Sequence, residues 1–447
     1  MSGRIADLPP WRASACEIVR RVRDGEWSCA EVMRSHLARC AKREPEVQAW
    51  EFLDAARAMA CAEAADGRLR GGARAGPLAG LPLGVKDIID VAGMPTRMGS
   101  PVTADSVATA SARCVSRLEA AGAIVLGKTV TTEFAYYSPG KTRNPWNAAH
   151  TPGGSSSGSA AAVACGMVAG ALGTQTNGSV VRPAAFCGVV GFKPSFGAVS
   201  NDGTLDPWPS LDHTGVLARK VGDAALLTSV IVEPAALVDA ALQPIAAPAL
   251  VAVRSPVWDL AEESQRRAYA DGVARLRAAG ASVVEHELPA SFGLAQATIR
   301  TIMGYEAARH FVRFHAGRVD ALSVPLRALI DEGRRVTDVV YRDALAIVRQ
   351  LRGEFARFID PFAAMLTPPA PGEAPATLAQ TGNPAFCSIA SLLGLPAITL
   401  PVALGPHGLP LGMQLVGRHR GDNALLSTAA WCEPQFGFTD LMEMEEE

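Results

Sequence analysis

Two segments rich in serine and glycine concentrate the residues of this chain that could do chemistry. They are residues 151–159 (TPGGSSSGS) and 173–179 (GTQTNGS), the second followed by Arg182-Pro183. Glycine-rich loops can hold phosphates, but neither segment has the Lys-Ser/Thr ending of a P-loop or a GxGxxG pattern. Residues 154–158 match GxSxG, which would make Ser156 a nucleophile. That motif follows an apolar strand, however, and residues 143–150 (RNPWNAAH) are polar. The segments therefore favour hydroxyl chemistry of another kind.

Both segments belong to a stretch that should be buried. From Thr151 to Val181 there is no Lys, Arg, Asp or Glu. The apolar part, residues 160–173, is about the length of a buried core helix and too short for a membrane crossing. Polar groups in the interior must be paired. We therefore predict one short buried helix with a hydroxyl-bearing loop at each end, placed so that the two loops can face each other.

A third candidate is the charged pair Lys86-Asp87, which lies between residues 81–85 (LPLGV) and Ile88-Ile89. This pattern predicts a buried strand that carries two charges. A salt bridge between the two is the simpler interpretation, but adjacent residues of a strand face opposite ways. A helix over 108–121 and a strand over 122–127 follow, and this alternation is typical of an α/β fold with a mixed or parallel sheet.

Composition limits the classes of protein that the chain can form. With 49% apolar and 19% charged residues among 447, it can bury a large core, which excludes a disordered chain, collagen or a bare coiled coil. The 42 basic and 44 acidic side chains give a net charge of −2. This balance favours neither a nucleic-acid nor a membrane-surface partner, so we expect a small-molecule partner.

Cysteines and histidines give no sign of a metal site. The nine cysteines are scattered without CxxC spacing, and no HExxH motif occurs. Residues 1–11 lack the apolar core of a signal peptide. We therefore expect a cytoplasmic protein without metal or cofactor.

Taken together, these motifs resemble the amidase signature family of serine hydrolases. Residues 80–87 (GLPLGVKD) are similar to the lysine segment of the family, and 153–159 (GGSSSGS) to its serine-glycine loop. Gly178-Ser179 with Arg182-Pro183-Ala184 is similar to its nucleophile loop, and the 24 residues from Ser155 to Ser179 equal the family spacing. The resemblance covers nearly the whole chain and is strongest over 76–197 and 382–433.

The resemblance implies an α/β fold with one large mixed β-sheet core covered on both sides by helices. It implies a single domain over 1–447, with a catalytic core at about 76–220 and a variable, substrate-shaping region at about 289–384. Ser179 would be the nucleophile, Ser155 a bridging serine on a cis peptide, and Lys86 the general base. This role of Lys86 agrees with its apolar neighbours, because burial lowers the pKa of a lysine.

Further site residues follow from the same resemblance. The oxyanion hole would consist of the backbone N–H groups of residues 176–179, that is Thr176, Asn177, Gly178 and Ser179. The sequence departs from the family pattern at Gln175, where an acid is usual, at Asn177, and at Val181 with the arginine one position later. We expect Gln175 and Arg182 to hold the loops by hydrogen bonds. Gly154, Ser156 and Asn177 are candidate substrate contacts, with holding the turn as the alternative role of Asn177. Tyr136 and Tyr137 are candidates because they lie shortly before the serine loop, with core packing as their alternative role.

The leading hypothesis is an amidase that hydrolyses small carboxamides, aryl carboxamides included, through a Ser179 acyl-enzyme. Esters, carbamates and urethanes are further substrates that this chemistry allows. One alternative is the A subunit of a tRNA-dependent glutamyl or aspartyl amidotransferase, and another is a catalytically silent binding module. Analogy with the family also allows a homodimer.

Overall fold

The computed structural model describes residues 8–233, 238–314 and 319–441. Within these ranges, eleven strands form one sheet. The strands are β1 Trp50–Leu53, β2 Pro82–Lys86, β3 Ile124–Thr129, β4 Gly170–Gln175, β5 Val190–Lys193, β6 His213–Ala218, β7 Ala249–Arg254, β8 Ser282–Glu287, β9 Ala364–Thr367, β10 Ala397–Leu404 and β11 Pro410–Val416.

The sheet is mixed, with the order β1-β3-β2-β4-β6-β5-β10-β11-β9-β7-β8. Strand β2 lies between β3 and β4 and is parallel to both. A second parallel group, β9-β7-β8, forms the opposite end, and antiparallel pairs connect the two groups. This confirms the predicted α/β class with one large mixed sheet.

Helices cover both faces of the sheet. They are α1 Ala15–Arg23, α2 Cys29–Val47, α3 Ala55–Arg70, α4 Arg113–Ala120, α5 Ser157–Ala164, α6 Val181–Cys187, α7 Val221–Ile231, α8 Glu263–Ala278, α9 Ala295–Phe314, α10 Val324–Gly333, α11 Asp338–Ile359, α12 Ser388–Leu392 and α13 Asp422–Phe436. Helix α2 begins with a capping box, in which Ser28 and Glu31 each accept a backbone N–H of the other. No helix of the described ranges is both long and apolar enough to cross a membrane.

The charge-free stretch forms part of the buried core. Every residue of α5 and of β4 is buried. The prediction of one helix over 160–173 was wrong in extent, because α5 ends at Ala164 and β4 begins at Gly170. Short, uniformly apolar runs fit a buried helix and a buried strand equally well, so periodicity could not separate the two.

Candidate active site

The candidate site lies where three parallel strands end side by side. Strands β2, β3 and β4 run in the same direction and end at Lys86, Thr129 and Gln175. The carboxyl ends of parallel strands meet at one edge of a sheet, which is where α/β proteins commonly bind ligands. This edge brings Lys86 of β2 next to Thr174 of β4 and to the serine loop that leads into α5.

Lys86 is a completely buried lysine surrounded by hydroxyl groups. Its Nζ lies 2.6 Å from Oγ of Ser155 and 2.7 Å from Oγ1 of Thr174, and the side chain is 0% exposed. Burial lowers the pKa of Lys86 from 10.5 to about 7, although the charge of Asp212 acts in the opposite direction. A lysine in this state exchanges a proton near neutral pH.

Asp87, the next residue, faces the other side of the sheet. Its carboxylate lies 3.0 Å from Nζ of Lys128, and both side chains are buried. Lys86 is in register with Thr129, and Val85 with Lys128, so strand alternation places Lys128 and Asp87 together on one face and Lys86 on the other. The alternative of a Lys86–Asp87 salt bridge is therefore wrong.

The two serine-bearing loops meet in front of Lys86. The Gly154–Ser155 peptide bond is cis, and the N–H of Ser156 donates to the carbonyl of Ser179 at 3.2 Å. Ser155 and Ser179 are 3% and 8% exposed and line one pocket. The hydroxyl of Ser155 is engaged with Lys86. That of Ser179 makes no hydrogen bond within the described ranges, so it is open to a bound molecule.

Residues 176–179 form a loop whose backbone N–H groups are available. None of these four groups donates to another atom of the part of the chain that the structure describes. Gln175 holds the following turn, since its Oε1 accepts from the N–H groups of Val180 (2.8 Å) and Val181 (3.0 Å). Gly178 leaves little room for a side chain: a Cβ there would lie 3.1 Å from Pro384 and 3.2 Å from Sγ of Cys387.

The pocket wall includes some of the predicted substrate contacts but not all of them. Tyr136, Tyr137 and Asn177 line it. Ser156 is 0% exposed and lies behind the wall. Its hydroxyl donates to the carbonyl of Thr174 and accepts from the N–H of Thr174, so it contacts the protein backbone and not the pocket, contrary to expectation.

Gly154 is likewise absent from the described lining. Its carbonyl accepts from Nη2 of Arg182 at 2.7 Å, and a Cβ at Gly154 would lie 2.7 Å from Thr381. Its role is therefore to let the loop pack against its neighbours.

Sequence reasoning missed several lining residues. Among them are Thr132, Met303, Thr381 and Pro384, of which the last three come from the region predicted to shape the substrate pocket. Their positions depend on contacts between distant segments, and no local motif marks them. Arg182 was expected to hold the loops; it does so through Gly154 and also lines the pocket.

Comparisons with known proteins place this arrangement in a family. The sequence model of the protein family described as Amidase matches residues 31–426 of this chain. The A subunit of the glutamyl-tRNA(Gln) amidotransferase of Symbiobacterium thermophilum is 34% identical, over 93% of this chain and 95% of that protein.

Solved structures agree in fold. A crystal structure of an amidase is 34% identical, with a TM-score of 0.86 over 95% of this chain and 100% of that one. The native peptide amidase of Stenotrophomonas maltophilia is 29% identical, with a TM-score of 0.82 over 95% of this chain and 97% of that one. The chain belongs to the amidase family, the amidase signature enzymes, as its motifs predicted. It is therefore an enzyme of the class that acts on amide C–N bonds.

Proposed function

We propose that the protein hydrolyses the C–N bond of a small carboxamide through an acyl-enzyme on Ser179. The observation that carries this proposal is the 2.6 Å contact between Nζ of Lys86 and Oγ of Ser155. Lys86 is buried, its side-chain contacts are hydroxyl groups, and no carboxylate of the described ranges forms an ion pair with it. A serine becomes a nucleophile when a base removes its proton. With a pKa of about 7, Lys86 is such a base at neutral pH.

The first half of the reaction makes the acyl-enzyme. Neutral Lys86 accepts the proton of Ser155, which takes that of Ser179 as the Ser179 oxygen attacks the carbonyl carbon. Negative charge develops on the substrate oxygen. The free N–H groups of the 176–179 loop are the donors that would stabilise it, because preorganised donors act most strongly where charge appears in the transition state.

The second half releases both products. The proton held by Lys86 returns through Ser155 to the leaving nitrogen, which departs as an amine or ammonia. A water molecule then gives a proton to the same relay and attacks the acyl carbon, which frees the acid and restores Ser179. Protonation of the leaving nitrogen is the step that makes an unactivated amide cleavable, because an amide anion is a very poor leaving group.

The pocket favours a compact substrate. The volume open to the centre of a water-sized sphere is only about 30 Å³, so the group that lies beside Ser179 must be small. Tyr136 and Tyr137 form part of the wall, with ring centroids 4.7 Å apart. Esters react by the same steps with an alcohol as the leaving group, and carbamates, urethanes included, with an alcohol or an amine. A panel of amides, esters and carbamates of matched acyl group measures this range.

The proposal is tested by Ser179→Ala, assayed on an amide that the wild type turns over. We expect kcat/KM to fall by about 10⁵-fold, because loss of a nucleophile removes the covalent route. Ser157→Ala is the matched control, since the Ser157 hydroxyl donates to the Val130 carbonyl at 3.2 Å and does not line the described pocket. Unchanged turnover in the Ser179 variant would refute the proposal.

A second candidate is the A subunit of a glutamyl-tRNA(Gln) amidotransferase. It is favoured by the 34% identity to the Symbiobacterium thermophilum protein over nearly the full length of both chains. In that case the amide would be glutamine, and the expected absence of a nucleic-acid partner would not hold. This candidate predicts glutaminase activity and co-purification of further subunits from the source cells. The first candidate predicts turnover of small amides by the isolated chain.

A further inference from the structure

The turn from Trp208 to Asp212 packs against the pocket wall from the protein side, and neither of these two residues is in the described lining. Trp208 is 0% exposed, and its Nε1 donates to the carbonyl of Met303 at 3.0 Å. Its ring centroid lies 6.0 Å from that of Tyr136. Asp212 contacts Thr176. Since Met303, Tyr136 and Thr176 all line the pocket, this one turn supports the wall at three places.

Asp212 is a buried carboxyl group held by two donors. Its Oδ1 accepts the hydroxyl of Thr176, and its Oδ2 accepts the N–H of Trp208 at 3.2 Å. The residue is 7% exposed, and no cation in the part of the chain that the structure describes forms an ion pair with it. Burial and the charge of Asp206 raise the pKa of Asp212 well above its usual range. A buried acid without a cationic partner is costly, so stability alone does not account for it.

Thr176 is the first residue of the loop that carries the candidate oxyanion donors. Strand β4 ends at Gln175, so the ladder of the sheet no longer holds the backbone beyond that point. Gln175 is in register with His213 at the start of β6, which places Thr176 beside Asp212. Because the N–H groups of residues 176–179 make no bond within the described protein, other groups must hold this loop. The Thr176 hydroxyl provides such a contact at the entrance of the loop.

We infer that Asp212 is a positioning residue of the proposed hydrolysis, and that it acts by holding Thr176 and with it the N–H groups of the oxyanion loop. The inference rests on the proposed function. Donors stabilise a developing negative charge best when they are in place before the charge appears. A loop that is released at Thr176 should therefore slow the chemical step, while binding of the uncharged substrate changes little.

The first test removes the contact from the side of Thr176. Thr176→Val keeps the shape of the side chain and removes the hydroxyl. We expect kcat to fall about ten- to a hundredfold, the range for a hydrogen bond to a charged group, with KM within about twofold of the wild type. Thr176→Ser keeps the hydroxyl and should retain most of the wild-type kcat.

Thr228→Val is the matched control for these variants. It removes another buried threonine hydroxyl, which donates to the carbonyl of Ala224 at 2.6 Å within α7. We expect it to affect stability alone and to leave kcat unchanged. Circular dichroism gives the folded fraction by which each rate is corrected.

The second test removes the partner. Asp212→Ala should lower kcat as Thr176→Val does, and Asp212→Asn should restore part of the loss, because an amide oxygen can accept the Thr176 hydroxyl. The double variant Thr176→Val with Asp212→Ala should be no slower than Asp212→Ala, since both changes remove one contact. Rates are compared at pH 9, because the charge of Asp212 raises the pKa of Lys86 and its removal would otherwise alter the neutral fraction of the base.

The outcomes separate this inference from the proposed function. Full turnover in Ser179→Ala refutes the acyl-enzyme, whatever the Thr176 variants do. An inactive Ser179→Ala together with wild-type kcat in folded Thr176→Val would overturn the positioning role and leave the acyl-enzyme standing. Losses that multiply in the double variant, or a change confined to KM, would also contradict the inference, because Asp212 would then act independently of Thr176 or on substrate binding.

Discussion

Two buried lysines on neighbouring strands differ in the groups that surround them. Lys86 at the end of β2 and Lys128 in β3 are both 0% exposed. Lys128 has a carboxylate at 3.0 Å, from Asp87, together with the carbonyl of Pro95 and the hydroxyl of Thr96. Lys86 has hydroxyls and a more distant carbonyl. The first lysine belongs to an ion pair, and the second is left free to exchange its proton.

Strand geometry produces this difference. Asp87 follows Lys86 in the chain, yet the pleat directs it to the opposite face, where β3 supplies Lys128. Burial acts on both lysines by lowering their pKa, but at Lys128 the charge of Asp87 opposes that effect directly. One charged pair in the sequence thus serves two separate purposes, a structural ion pair and a candidate base.

The largest expected effect distinguishes the two lysines by activity. Lys86→Met should lower kcat/KM by about 10³-fold, because general base catalysis contributes 10²–10⁴-fold in enzymes. Lys128→Met, the same substitution one strand away, should retain most of its turnover per folded molecule. Steady-state assays of both variants, corrected for the folded fraction by circular dichroism, make the comparison. A large loss of kcat/KM in folded Lys128→Met with little loss in Lys86→Met would reverse the assignment.

The unfolding free energy should depend more on Lys128 than on Lys86. Lys128→Met leaves the Asp87 carboxyl buried without its partner, and breaking a buried pair in this way costs about 3–5 kcal/mol of unfolding free energy. The cost should be smaller at pH 5 than at pH 8, because burial raises the pKa of Asp87 to about 6 and the acid can become neutral. Urea unfolding at the two pH values measures both effects.

The double variant Lys128→Met with Asp87→Asn is the control for this prediction, since it removes both charges. It should recover part of the lost stability. A single variant as stable as the wild type at pH 8 would show that the ion pair contributes nothing.

The sequence indicated which residues are the candidates for catalysis better than it indicated the residues that surround them. Lys86, Ser155 and Ser179 are each marked by a short motif, and strand alternation alone argued against a Lys86–Asp87 pair. The partner of Asp87 was not foreseeable, because it depends on the parallel pairing and register of β2 with β3. Contacts such as that of Arg182 with Thr381, 199 residues apart, exist only in the folded chain.

The pH dependence of activity should report Lys86 directly. The lysine acts as a base only when neutral, and its pKa is about 7. We therefore expect kcat/KM to rise tenfold per pH unit below about pH 7 and to level off above it, since kcat/KM follows the free enzyme. Rate measurements between pH 5 and 9, on a substrate that does not titrate in this range, would show this rise, the acid limb of the profile. A flat profile from pH 5 to pH 9 would exclude Lys86 as the base.

The smallest effect concerns the hydroxyl of Thr174, 2.7 Å from Nζ of Lys86. If the lone pair of neutral Lys86 receives the Ser155 proton, the Thr174 oxygen stabilises chiefly the protonated lysine by accepting one of its N–H groups. Thr174→Val would then lower the pKa of Lys86, and the acid limb of kcat/KM would move to lower pH by less than about one unit, the scale of one hydrogen bond.

Thr129→Val is the matched control for this shift. Thr129 is in register with Lys86 on β3, but its hydroxyl is bonded to that of Ser159 at 2.7 Å, so its removal should leave the limb unchanged. A shift to higher pH in Thr174→Val would mean that Thr174 donates to the lysine nitrogen. The lone pair would then be occupied, and a relay from Ser179 through Ser155 to Lys86 would lack its acceptor. The direction of this small shift is therefore a sharper test of the relay than its size.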